Sequence, residues 1–192
     1  MREWLVAILL AALLPLALQA QDFWAKKDYR EWSAKECAKL LTDSPWAKSR
    51  ITTLYVPQPL GTPSSVPDAN ATPQITYIAQ LWSAVPVRQA AVRQARLSPG
   101  FGKLSASERQ AVEARQASLL AEKFPDRIVV RVEYSSTVGL YQQDLVLFWQ
   151  TRQADLWKQD TYLYTSSGKY NPVNVRVAGG AGGSFELIFA RE

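Results

Sequence analysis

The 192-residue chain contains no histidine and a single cysteine, Cys37. Without histidine, neither a Ser-His-Asp nor a Cys-His nucleophile can be assembled, because the general base is missing. Zinc sites of the usual kind go with it, since one thiol and no imidazole leave only oxygen ligands. Such ligands suit calcium or magnesium, yet no EF-hand-like spacing of Asp, Asn and Glu occurs, so no metal and no cofactor are expected. One cysteine cannot close an intramolecular disulfide, and the fold must be held by its core. Cys37 is expected to be buried and inert, the alternative being an intermolecular bridge or a reactive thiol. The glycine run from Gly179 to Gly183 lacks the strand-loop-helix context and the lysine of a phosphate loop, and reads as a hairpin loop. There is no internal repeat and no linker long enough to split the chain.

A long charge-free apolar run is present at the amino terminus, from Trp4 to Leu18. Its 15 residues fall short of the roughly 18 to 20 that a bilayer-spanning helix needs. Pro15 would end the helical part of the run, and Ala20 is a small residue suited to a cut between Ala20 and Gln21. Residues 1–20 are therefore expected to be a signal peptide and 21–192 a single exported domain, periplasmic or extracellular, with no stable transmembrane anchor after cleavage. Lipid anchoring would need a cysteine directly after the cut, and Cys37 lies 16 positions beyond Gln21. Removing residues 1–20 leaves 172, enough for one domain to bury on the order of 70% of its unfolded surface. The net charge of +5 survives, because one basic and one acidic residue, Arg2 and Glu3, leave together. That balance weakly favours acidic partners, and export makes nucleic acid an unsuitable one.

Ser33 and Glu36 stand at capping-box spacing, with Trp32 and Cys37 at staple positions, and predict a helix to about Thr42. An alternative start at Asp28, with Glu31 three residues on, would lengthen it. Ile51 to Val56 reads as a strand and the proline-rich segment after it as a loop, whose Asn70-Ala71-Thr72 fits a glycosylation acceptor but is better read as a turn. Ile75 to Trp82 is apolar on both faces, as in a central strand. Pro86 to Leu97 reads as helix. So does the stretch from the second capping box, Ser105 and Glu108, to Pro125, with Ala114, Ala117, Leu120, Ala121 and Phe124 as its seam. Five further strands are expected at Arg127–Tyr134, Asp144–Arg152, Leu156–Tyr164, Val173–Val177 and Phe185–Phe189, joined by short turns and so antiparallel. The fold class is α+β, a single domain with a mainly antiparallel sheet of six or seven strands and about three helices packed mostly on one face.

The stretch WAKKDYREWSAKECAKLLTDSPWAKS, with QLWSAVPVRQA later, resembles an uncharacterised family of bacterial secreted proteins carrying a D-S-P-W-A motif after a short helix. Here the motif is Asp43-Ser44-Pro45-Trp46-Ala47. The resemblance implies export and a shared fold, and no chemistry. The local chemistry already gives the motif a structural role, with Asp43 or Ser44 capping the turn that Pro45 begins and Trp46 packing under the sheet.

Two sets of residues are candidates for function. Asp144, Asp155 and Asp160 could supply the two carboxylates of a glycan hydrolase, with Trp149 and Trp157 as a stacking floor, although turn-forming Asp and core Trp are the more ordinary explanation of them. Arg88, Arg93 and Arg96 fall on one arc of a helix and are expected to form a basic face opposite Val87, Ala91 and Ala95, either merely solvated, paired with Glu108 and Glu113 of the next helix, or facing an acidic envelope polymer or an anionic membrane surface. The expected role is a non-catalytic binding or scaffolding protein, whose partner is such a polymer or another envelope protein. The alternatives are a carboxylate-dependent glycan hydrolase and a small-molecule carrier with an aromatic-lined pocket.

Overall fold

Phe23–Lys26 form α1, and a 3-10 turn at Tyr29–Glu31 follows, capped by Asp28 Oδ1, which accepts from the Arg30 N–H at 2.8 Å. The description comes from a computed structural model and covers residues 23–53, 73–178 and 183–191. The expected signal peptide, the Asn70-Ala71-Thr72 pattern, the end of the strand expected to Val56 and all but the last glycine of the run lie outside the described residues. Asp28 thus starts a separate turn, and the longer helix begins at Ser33. There Ser33 Oγ accepts from the Glu36 N–H at 3.3 Å and Glu36 Oε2 accepts from the Ser33 N–H at 2.8 Å, the expected capping box, ahead of α2 (Ala34–Thr42).

The remaining elements, in chain order, are β1 (Asp43–Ser44), β2 (Ala47–Thr53), β3 (Gln74–Leu81), α3 (Val85–Leu97), α4 (Pro99–Gly102), α5 (Ala106–Ala121), β4 (Arg127–Ser136), α6 (Gly139–Thr151), α7 (Ala154–Asp160), β5 (Leu163–Thr165), β6 (Gly168–Tyr170), β7 (Asn174–Ala178) and β8 (Gly183–Ala190). Six strands form one antiparallel sheet in the order β1-β2-β3-β4-β8-β7, and β5 and β6 form a separate hairpin. The α+β class with an antiparallel sheet is as expected, and β3 is interior to the sheet, as its two apolar faces indicated.

Alternation along the strands sends apolar side chains to both faces. On one face Val129 and Ile188 pack with Trp32, Cys37, Leu40, Leu41, Val87 and Ala90 from α2, α3 and the turn before them. On the other, Tyr134, Phe185, Leu187 and Phe189 pack with Trp149 and Trp157. Those tryptophans sit on α6 and α7, which corrects the strands expected at Asp144–Arg152 and Leu156–Tyr164 and the placing of helices mostly on one face. Tyr141, Leu145, Trp149 and Arg152 recur every three or four residues and are all partly covered, whereas Leu140 before them and Leu147 and Phe148 between them stand exposed. An apolar outer face on a helix of this kind conceals its period, and the segment imitates a continuous strand.

Gly183 pairs with Tyr134 across β8 and β4. A Cβ at Gly183 would overlap the Tyr134 ring, so this glycine is required by close approach.

α5 is also turned relative to expectation. Ala114, Ala117 and Ala121 are exposed, while Gln116 is buried and Leu119 joins the core. Alanines contribute too little apolar area to decide a helix's orientation against a leucine and a hydrogen-bonded glutamine.

Candidate functional site

On the sheet face that α2 and α3 cover, the register aligns a polar row across four strands: Gln80 opposite Arg131, Arg131 opposite Glu186, and Glu186 opposite Arg176. Arg131 donates to Glu186 Oε1 from Nε at 3.2 Å and from Nη2 at 2.6 Å, while Arg176 Nη2 lies 3.5 Å from Glu186 Oε2. The Arg131 guanidinium lies 3.4 Å from the centroid of the Trp82 ring. Glu186 is thus committed to two arginines, and Arg131 is held between a carboxylate and an aromatic face.

The helices leave part of this face open. A groove of about 470 Å³ runs between α2, α3 and the sheet, with Gln80, Trp82, Arg131 and Glu133 in its floor, Leu41 on one wall and Ala95 on the other. A hollow of about 250 Å³ adjoins it, sharing Ile78 and Glu133 and continuing to Ser184. Gln80 is buried, and its Nε2 donates to Leu41 O at 3.1 Å, fixing the floor to the end of α2. Glu133 is exposed and has no ion-pair partner among the described residues. The groove therefore offers apolar walls, a stacked cation and a free carboxylate, a set suited to holding a molecule of mixed polarity.

The three arginines of α3 lie elsewhere than expected. Arg88 is 2% exposed. Its Nη1 donates to Trp82 O and Ser83 O and its Nη2 to Glu122 O, each at 3.0 Å, with the guanidinium 4.9 Å from the Phe124 ring centroid. Burial pushes this guanidinium below its ordinary pKa, partly offset by Glu122. Arg93 Nε donates to Trp32 O at 2.8 Å and Arg96 Nε to Gln116 Oε1 at 2.6 Å. The arc is real, but it faces neighbouring elements, and the solvated basic face is not formed. Backbone carbonyls at the ends of β3 and α5 accept what a solvated face would have offered to water.

The Asp43-Ser44-Pro45-Trp46-Ala47 motif builds a two-residue hairpin turn, with Ser44 opposite Ala47. Ser44 Oγ donates to Leu40 O at 2.7 Å and accepts from the Trp46 N–H at 3.2 Å, tying the end of α2 to the turn. Lys48 Nζ, 2.6 Å from Asp43 Oδ1, holds that carboxyl below its usual range. Trp46 is half-buried, 5.4 Å from the Trp24 ring, and its carbonyl accepts from the Leu81 N–H at 2.7 Å. All five contacts are structural ones.

Asp144, Asp155 and Asp160 are exposed on α6 and α7, and none lines the groove or its adjoining hollow. Asp160 Oδ2 pairs with Arg152 Nη2 at 2.6 Å. Trp149 and Trp157 form no open floor: their rings lie 4.9 Å apart and 4.9 and 4.5 Å from Phe185, within the second core. Cys37 is fully buried, and burial pushes its thiol pKa up. Among the described residues no group of three or more Cys, Asp or Glu is placed to hold a metal ion, and no helix is long and apolar enough to cross a membrane.

The groove residues Trp82, Arg131 and Glu133, and Glu186 that holds Arg131, are those that sequence reasoning missed. A signal was present, since Arg131 and Glu133 alternate with Val130 and Val132, which puts two charges on one strand face. No family model matches the chain, and comparison with curated proteins and with solved structures returns no match.

Proposed function

We propose that this protein is a non-catalytic binding protein of the envelope or the secreted space, which takes its ligand in the groove between α2, α3 and the open part of the sheet. The observation that carries this reading is the groove itself, about 470 Å³, within the roughly 300 to 1,000 Å³ of sites that hold small ligands or side chains. Arg131 is held across strands by Glu186 and Gln80 by the Leu41 carbonyl, so ordering these two groups on binding costs little entropy. Export is supported by the apolar run from Trp4 to Leu18.

The hydrolase alternative draws no support from the groove, because Asp144, Asp155 and Asp160 are exposed and none of them lines it. An acidic envelope polymer is supported by the net charge of +5 alone, because the α3 arginines are engaged within the protein. The small-molecule carrier is the second reading, and Trp82 is the aromatic residue that favours it.

The test is an Ala95→Trp variant, which places a large ring over one wall of the groove at an exposed helix position. Retention of envelope polysaccharide, protein and small-molecule fractions is compared with that of the parent protein. Loss of one retained fraction with an unchanged melting temperature supports the groove. Equal retention of every fraction overturns it.

A further inference from the structure

Seven of the ten large apolar side chains that stand exposed among the described residues fall between Leu140 and Val173. Three of them share the outer face of α6: Leu140, Leu147 and Phe148 are 66%, 61% and 51% exposed. Asp144 is also exposed and lies between them, four residues from Leu140 and Phe148 and three from Leu147, on the same face. α6 carries no lysine or arginine, and Arg152 just beyond it is bound to Asp160. Apolar clusters of this kind mark interaction surfaces, whereas single exposed leucines do not.

We propose that this face of α6 docks a basic amphipathic segment of another protein, with apolar side chains against Leu140, Leu147 and Phe148 and a lysine or arginine against Asp144. From Leu140 to Phe148 the face runs eight residue steps, about 12 Å at 1.5 Å per step, or a little over two turns of a partner helix. Charge complementarity selects the occupant. A second copy crossing this face at its centre brings Asp144 against Asp144, and like charges at close range repel. A membrane surface leaves the carboxylate among lipid chains, and α6 lacks the lysines and arginines that flank interfacial helices. A basic segment covers the leucines and neutralises the carboxylate together. The proposal is independent of the groove, which lies on the opposite side of the sheet.

The test uses two labelled 14-residue peptides, one an amphipathic helix of leucine and lysine, the other with glutamate replacing lysine, titrated with the full protein and read by fluorescence anisotropy. The protein's net positive charge opposes unspecific capture of the lysine peptide. The expected result is binding of the lysine peptide at least tenfold tighter than the glutamate peptide. Asp144→Asn should weaken the lysine peptide severalfold and Leu147→Gln more than tenfold, both variants melting like the parent. Equal binding of the two peptides, binding of neither, or indifference to Asp144→Asn overturns the proposal. So does sedimentation as a dimer, or binding to neutral or anionic phospholipid vesicles, if Leu147→Gln abolishes it.

Discussion

Arg131 sits over Trp82, its guanidinium carbon 3.4 Å from the ring centroid, while two of its nitrogens bond Glu186. The pairing sets the shape of the groove floor, because a planar fork can stack and bond a carboxylate at once and an ammonium cannot. Arg131→Ala is expected to lower stability by about 1 to 2 kcal/mol, the scale of a partly buried ion pair combined with a cation–π contact. Arg131→Lys should recover only part of that loss. Urea unfolding of the two variants beside the parent checks both expectations.

Arg88 fastens the end of β3 to the end of α5 through three backbone carbonyls. Arg88→Ala leaves those acceptors unpaired in the interior and opens a cavity, so a loss of about 3 kcal/mol or more is expected. A solvated arginine replaced by alanine would change stability within about 0.5 kcal/mol. The thermal midpoint of this one variant separates the latch from the surface reading.

Glu36 gives a pH dependence with a definite sign. Its bond to Lys27 at 2.7 Å, followed by the Ser33 N–H, lowers its pKa from 4.5 to about 2. A carboxylate depressed in the folded state contributes stability that is fully present above the unfolded value and is lost as pH falls through the folded one. The loss should therefore develop between about pH 4.5 and about pH 2. Glu36→Gln keeps the reciprocal cap in amide form and should show a shallower decline over that window. Urea midpoints at neutral pH and at points across the acid range measure the difference.

Trp46→Ala is expected to cost about 2 kcal/mol, below the 3 to 5 kcal/mol typical of a fully buried tryptophan, because part of its surface is already in water. Chemical denaturation of the variant gives the figure. A variant that melts like the parent but loses a ligand would reassign Trp46 to recognition.

What the sequence made legible follows from local chemistry. α2 and α5 announce themselves through reciprocal capping boxes at Ser33–Glu36 and Ser105–Glu108, and both form. α6 and α7 begin at Val138 and Gln153 with no side-chain cap, so nothing in the sequence marks where they start. The arginine arc on α3 was readable as an arc, but which way it faced depended on carbonyls of β3 and α5 that only the tertiary fold supplies. The groove was hidden for the same reason: Arg131 and Glu186 come from two different strands and meet through their register, and Trp82 comes from the turn after a third.

The most direct measurement of the central claim is an NMR fragment screen of the protein with and without Ala95→Trp. The groove reading predicts that fragments of mixed polarity shift the amides of Ile78, Gln80, Trp82 and Arg131 together, and that these shifts vanish in the variant while its other amides hold their positions. Shifts that concentrate elsewhere, or that persist unchanged with the groove wall filled, would contradict it.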